Sequence, residues 1–153
     1  MPKESSHPTT GAPQPARIRD RPTWLISRNY GRSSGLLQDG FAAGGDGLRG
    51  YHYRLLAALE EWGPSSQADL ARSTGVDRSD VVGVLGELER RKLITRDVDP
   101  TNRRRNVVSI TPGGRRTLTA LDKVVDAVQE QVLEPLTATE RRQLTKLLRK
   151  LLG

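Results

Sequence analysis

The stretch that decides the fold is Ser66-Gln67-Ala68-Asp69-Leu70-Ala71-Arg72-Ser73-Thr74-Gly75-Val76-Asp77-Arg78-Ser79-Asp80-Val81-Val82-Gly83-Val84-Leu85. Ser65 or Ser66 suits a helix N-cap, because a hydroxyl oxygen there can accept from a backbone N–H of the first turn. The short helix that follows, over Ser66–Ser73, presents Leu70 and Ala71 inward. Thr74-Gly75-Val76 reads as a tight turn, and Asp77 as the cap of a second helix running to about Arg91. On that helix Val81, Val84, Leu85 and Leu88 share one face. Two short helices joined by a Gly-containing turn form a helix-turn-helix. Leu93–Val98 and Asn106–Ile110 come next, two β-branched runs separated by Asp99-Pro100-Thr101-Asn102-Arg103-Arg104-Arg105. They predict a hairpin with an exposed, basic tip. Helix-turn-helix followed at once by a hairpin is the order of a winged helix.

Upstream, Gly63-Pro64 stops a helix on which Leu48, Tyr51, Leu55, Leu59 and Trp62 form a stripe. Before it, a helix from Thr23 carries Ile26, Tyr30, Ser33, Leu37 and Phe41 at intervals of three or four. Gly31, Gly35 and Gly40 weaken that helix by about 1 kcal/mol each relative to Ala. Residues 1–22 hold five of the nine prolines and little that can be buried. They are expected to form a disordered tail, whose Arg17, Arg19 and Arg21 can touch phosphates.

Downstream, Thr111-Pro112 opens a long helix, with Thr as N-cap and Pro at its first position. Its Leu118, Leu121, Val125, Val128 and Val132 are spaced as a coiled-coil seam. Pro135 ends it, and Thr137-Ala138-Thr139-Glu140 is a capping box that opens a last helix bearing Leu144, Leu147, Leu148, Leu151 and Leu152. The expected organisation is therefore a tail over 1–22, N-terminal helices over 23–63, a winged helix-turn-helix over 64–110 and C-terminal helices over 111–153. The fold class is mainly α with a small β-hairpin wing.

Composition narrows the function. The chain has 153 residues, 35% of them hydrophobic and only 4% aromatic, a thin core that pairing with a second copy would complete. Net charge is +7, distributed as +3 over residues 1–30, −1 over 31–63, +2 over 64–110 and +3 over 111–153. Such a surplus attracts polyanions, nucleic acid first. The absence of cysteine excludes disulfides and thiol chemistry, and with two histidines a structural zinc site is not expected. No run of 18 apolar residues appears, and no secretory leader is recognisable, so a cytoplasmic protein without membrane contact is expected. No nucleophile, base and orienting group recur at a meaningful spacing, so no catalytic residue, cofactor or enzyme activity is expected.

The chain resembles the MarR family of bacterial transcription regulators. The resemblance is carried by Gln67-Ala68-Asp69-Leu70-Ala71, by Leu88-Glu89-Arg90-Arg91-Lys92-Leu93-Ile94-Thr95-Arg96, by Asp99-Pro100-Thr101-Asn102-Arg103-Arg104 and by Ile110-Thr111-Pro112-Gly113-Gly114. It extends over roughly Thr23 to Leu152. It implies a homodimer in which the first helix and the last two interlock, and a pocket for phenolic or other aromatic acids beside the winged-helix lobe. Two departures stand out. Asn102 occupies a position where the family usually has Asp, and Val82-Gly83 stand where it more often has a hydroxyl residue followed by Arg.

In a winged helix the start of the second helix enters the major groove. This places Arg78, Ser79, Asp80, Val82 and Gly83 at the bases. Arg78 can take guanine O6 and N7 with two parallel hydrogen bonds, Asp80 can accept from cytosine N4, and Val82 can pack on a thymine methyl. Gly83 gives room for close approach, and a small packing residue would explain it equally well. Ser65, Ser66, Gln67 and Arg72 can contact phosphates, with capping the main role of the serines. Of Arg103, Arg104 and Arg105, strand alternation predicts that neighbours point to opposite faces, one entering the minor groove and another pairing with Asp97 or Asp99. Arg90, Arg91 and Lys92 complement the dipole at the helix end. For an aromatic effector the candidates are Tyr30, Tyr51, His52 and Arg54.

The leading expectation is a dimeric repressor on a pseudo-palindromic operator of double-stranded DNA, released by a small aromatic ligand. The alternatives are a constitutive DNA-binding activator or architectural factor without effector, and a winged helix used for protein contacts through Asp77, Asp80 and Glu87.

Overall fold

The structure, a computed structural model, describes residues 13–153. They fall into two compact units, one ending at Ser34 and the other spanning Gly35–Gly153. In the first, a single turn α1 (Ala16–Arg19) precedes the start of α2 (Pro22–Gly44). Of the segment expected to be disordered, residues 1–12 lie outside the described residues, whereas Ala16–Arg19 is helical. Local bonds account for the difference: Arg21 Nε donates to the Arg17 carbonyl at 3.0 Å, and Trp24 Nε1 donates to Gln14 Oε1 at 2.8 Å. Leu25, Ile26 and Tyr30 stand exposed on this part of α2.

The second unit contains the end of α2, then α3 (Gly50–Trp62), β1 (Ser65–Ser66), α4 (Gln67–Thr74), α5 (Arg78–Arg90), β2 (Ile94–Asp99), β3 (Asn102–Ile110), α6 (Pro112–Leu133) and α7 (Ala138–Leu152). The caps sit where the sequence puts them. Ser66, Asp77, Thr111 and Thr137 accept from the backbone N–H of Asp69, Ser79, Gly114 and Glu140 respectively, and Glu140 completes its box by accepting from Thr137 N at 2.8 Å. Gly75 ends α4 at φ +67°, a left-handed conformation that favours glycine.

The core gathers Leu55, Leu56, Leu59, Leu70, Val81, Leu85, Leu88 and Val108, all with no solvent exposure. Burying each leucine contributes about 1.5–3 kcal/mol. On α3 the buried stripe is rotated from the expected one. His52 rather than Tyr51 faces inward, and Trp62 is exposed. Leu48 remains buried but precedes the helix, which starts at Gly50 after the Arg49 cap.

Three further findings refine the expected organisation. The sheet has a third strand, in the order β1-β3-β2, because Ser65 and Ser66 pair antiparallel with Val108 and Val107. The wing arginines do not form the turn. Asp99 closes it by accepting from Thr101 N at 2.8 Å and Thr101 Oγ1 at 2.7 Å, so β3 already begins at Asn102. Finally, part of the α6 seam is spent inside the chain. Leu118, Leu121 and Val128 are buried, and a Cβ at Gly40 would lie 2.7 Å from Val128 Cγ2. That glycine, read from sequence as a weak point of a helix, lets α2 and α6 approach closely.

Candidate nucleic-acid interface

The first turn of α5 leaves Arg78, Ser79, Asp80, Val82 and Gly83 exposed while Val81, Val84 and Leu85 anchor the opposite side. Asp77 accepts from Ser79 N at 3.0 Å and from Ser79 Oγ at 2.8 Å, so this hydroxyl proton is already engaged in the cap. These bonds hold the Asp77 carboxyl below the usual carboxylate range. Arg78 is the first helical residue, where a cation opposes the helix dipole. Among the described residues no carboxylate lies within 4.0 Å of its guanidinium. A cost without an internal partner fits a side chain kept for an external anion. Val82 is 53% exposed, and a Cβ at Gly83 would meet nothing within 4 Å. Gly83 is therefore not a packing residue.

The wing departs from simple alternation. Val98 pairs with Asn106, yet the next residue, Asp99, pairs with Asn102. The register slips here, and Arg103, Arg104 and Arg105 are the excess on β3. Asn102, standing where a carboxylate is usual in the family, accepts from Arg104 N at 3.1 Å through its amide oxygen, a task that needs no charge. Arg105 is the brace. It lies 3.9 Å from Asp99 Oδ2 and 3.5 Å from Asp69 Oδ2 on α4. Arg103 and Arg104 are exposed, with no carboxylate within 4.0 Å among the described residues.

Between α4, the start of α5 and β3 runs a cleft of about 510 Å³, with Gln67, Asp69, Arg72, Arg78, Arg104 and Arg105 in its walls. The structure thus brings together Gln67, Arg78, Arg104 and Arg105 from three elements. It leaves Arg103 outside the cleft, and Ser79, Asp80, Val82 and Gly83 on the exposed surface of α5 beside it. Ser66 is corrected: only 6% exposed, it caps α4 and donates to Asp69 Oδ2 at 2.6 Å, so its hydroxyl is not presented to a phosphate.

The four effector candidates differ in their surroundings. Tyr30 is 72% exposed, in the first unit. His52 is buried with both ring nitrogens engaged: Arg49 N donates to Nδ1 at 2.9 Å, and Nε2 faces Glu87 Oε2 at 2.9 Å. Arg54 donates to the Thr74 carbonyl at 3.1 Å, fastening the end of α4. Tyr51 is half-buried, its ring centroid 4.6 Å from that of His52. His52 is thus structural, because both of its ring nitrogens are already bonded within the chain, whereas Arg54 is exposed and spends one of its five N–H donors on the Thr74 carbonyl.

A family model described as MarR family matches residues 46–105, from within the α2–α3 loop to the wing arginines. Beyond that segment, the chain is 30% identical over 138 residues to the HTH-type transcriptional repressor NicR of Pseudomonas putida, covering 90% of this chain and 86% of NicR. The chain belongs to the MarR family. Among solved structures, a MarR-family transcriptional regulator from Rhodococcus sp. RHA1 is 30% identical, with a TM-score of 0.73 over 84% of this chain and 90% of that one. BpsR of Bordetella bronchiseptica, whose structure concerns regulation of its DNA binding by 6-hydroxynicotinic acid, is 29% identical. It has a TM-score of 0.74 over 84% of this chain and 96% of its own. The chain is accordingly a DNA-binding transcription regulator of the MarR type.

Sequence reading overlooked the contacts that hold α5 in place. Glu89 accepts from Arg96 Nε at 2.9 Å and so ties α5 to the wing strand β2. Arg91 donates to the Asp46 carbonyl at 2.7 Å and ties the far end of α5 to the α2–α3 loop. Asp69 was read only as part of a family motif. The one signal available was its position three residues after the Ser66 cap, which marks a capping role and nothing across 36 residues to Arg105.

Proposed function

We propose that this MarR-family protein is a homodimeric repressor of a pseudo-palindromic operator, released by a small aromatic acid. The observation that carries the DNA reading is the convergence of Gln67, Arg78 and Arg104 on one cleft beside an α5 start whose exposed residues bury nothing. Arg78 reads a guanine in the major groove, with Asp80, Val82 and Gly83 on adjoining bases. Gln67 and Arg104 take phosphates, and Arg103, outside the cleft, is the arginine that enters the minor groove. The two recognition helices of a dimer lie one DNA turn apart, about 34–36 Å. Leu147, Leu148, Leu151 and Leu152 on α7 stay 44–88% exposed in one copy, and so do Leu25 and Ile26 on α2, at 44% and 47%. Leucines so exposed support a partner copy that covers them.

Repression follows the likeness to NicR, and an aromatic effector follows BpsR, with Tyr51 the remaining candidate wall of the seat. The role is binding rather than catalysis, and the site is cytoplasmic, where a bacterial operator is. Among the described residues no helix is long and apolar enough to cross a membrane. Fluorescence anisotropy with DNA from upstream of the protein's own gene, in random-sequence competitor, tests the reading. Binding that survives competitor and falls with 6-hydroxynicotinic acid or another aromatic acid is expected. Binding abolished by competitor overturns it.

A further inference from the structure

Among the described residues, one carboxylate lines the cationic cleft. Asp69 sits on α4 between Arg72, three residues along the same helix, and Arg105, which arrives from β3; both guanidinium groups pair with it. Its orientation is set from below. The buried Ser66 hydroxyl donates to Oδ2 at 2.6 Å and accepts from Asp69 N at 3.2 Å, so the cap that starts α4 also aims the carboxylate outward. The wing slip at Arg103–Arg105 is what delivers Arg105 to this point. Arg78 and Arg104 line the same cleft with no carboxylate within 4.0 Å among the described residues.

We propose that Asp69 is a specificity-determining positioning residue: its carboxylate occupies the place of a backbone phosphate between Arg72 and Arg105 and withholds both from random-sequence DNA. The inference rests on the DNA-binding reading above. Specificity is a difference between two affinities, and it is raised as effectively by weakening the wrong complex as by strengthening the right one. Any duplex offers phosphates, so four free arginines in one cleft would hold all sequences tightly. One carboxylate shared by two guanidinium groups offsets one of their two charges, so non-specific binding loses about one counterion-releasing contact per protomer. Arg78, which reads a base, keeps its share of the specific complex. The Ser66 bond, aided by the two guanidinium groups, holds the Asp69 carboxyl below its usual range, so the masking charge persists at neutral pH.

The test is Asp69→Asn in the full chain, which preserves shape and the Ser66 cap while removing the charge. Anisotropy is measured against a random duplex and against the upstream DNA, each across a salt series. For the random duplex the salt slope should steepen by about 1 per protomer, because one negative charge is removed, so over a tenfold drop in salt affinity rises about eightfold more per protomer than in the parent. The ratio of upstream to random affinity falls. Asp69→Glu restores the charge and should return the slope toward the parent value, and Asp69→Asn with Arg105→Gln should do the same by removing a released cation. An Asp69→Asn protein that melts lower but keeps the parental slope has lost only a structural contact, which overturns the proposal. A double variant that retains the steep slope overturns it also. A parent protein that binds neither duplex overturns the DNA reading itself, and the inference with it.

Discussion

The two ends of α5 are built on opposite plans. At its C-terminal end every charged group but Arg90 is committed: Glu87 faces His52, Glu89 holds Arg96, and Arg91 reaches both Glu87, at 3.7 Å, and the Asp46 carbonyl. At its N-terminal end Arg78 and Asp80 have no ionic partner within 4.0 Å among the described residues, and Val82 and Gly83 touch solvent. One helix therefore separates two tasks along its length. The far end fixes its angle against α3, the α2–α3 loop and the wing. The near end is left exposed, and on the function proposed above it takes the DNA. Substitutions at the far end should change stability and leave sequence preference alone, and those at the near end should do the reverse.

The strongest test of that division is Leu88→Ala at the far end. Leu88 has no exposure and belongs to the central cluster, so its truncation should cost about 2–5 kcal/mol of folding free energy. Urea unfolding measures the loss. Base preference of the folded fraction should not move, and a shifted preference would show that the far end also reads DNA.

His52 gives a pH-dependent version of the same test. Because Arg49 N donates to Nδ1, the neutral ring carries its proton on Nε2 and donates it to Glu87. Protonation would place a second hydrogen on Nδ1, against the Arg49 N–H. Burial lowers the pKa from its usual 6.5, only partly opposed by the Glu87 carboxylate. The unfolded chain then takes up the proton first as pH falls, so stability should be full above about pH 6.5 and decline below it. The depressed carboxyls of Asp69, Asp77, Glu89, Asp99 and Glu140 act in a separate, more acidic window, starting near their ordinary values of 3.8 to 4.5. Urea midpoints between pH 8 and pH 5 should fall for the parent and stay flat over that range for His52→Leu. The same variant should lose about 1–3 kcal/mol at pH 8, because the Arg49 N–H and Glu87 lose their partner.

This contrast also explains what the sequence could and could not reveal. Caps were legible because Ser66, Asp77, Thr111 and Thr137 act within three residues, and chain spacing alone sets such contacts. The helix-turn-helix and its core face were legible for the same reason. Partners 35 to 69 residues apart were not: His52 with Glu87, Asp69 with Arg105, Tyr53 with Asp122. Nothing local marks them, so His52 read as a ligand-binding residue when its surroundings make it a pin. The wing failed differently. Alternation presumes an uninterrupted ladder, and the slip opposite Val98 and Asp99 removes that premise just where the three arginines lie. On α6, spacing showed a seam but not which helix fills it, since Gly40 invites α2 of the same chain as readily as a second copy.

At the near end, Arg78→Ala should leave the urea midpoint unchanged or slightly raised, because it removes a cation from the positive end of a helix dipole. It should cost about 1–3 kcal/mol of discrimination at one base position in each half-site. Competition binding with a set of single-base operator variants checks this. Unchanged preference at every position would mean that Arg78 contacts phosphate only, and the base reading would pass to Asp80 and Val82.

The smallest effect is the most discriminating. Gly83 sits inside α5 with open space where a Cβ would go. Gly83→Ala should therefore stabilise the fold by roughly 0.5–1 kcal/mol through the lower entropy of the unfolded chain. A packing glycine would respond with a loss. If the absence of a side chain exists to let α5 approach the groove, the same variant should bind the upstream DNA more weakly although it folds more stably. Greater stability with reduced affinity would identify Gly83 as selected for the complex rather than for the fold. Greater stability with unchanged affinity would show instead that the groove leaves room at this position. A longer cation, as in Gly83→Arg, would then add a phosphate contact and steepen the salt slope by about 1 per protomer.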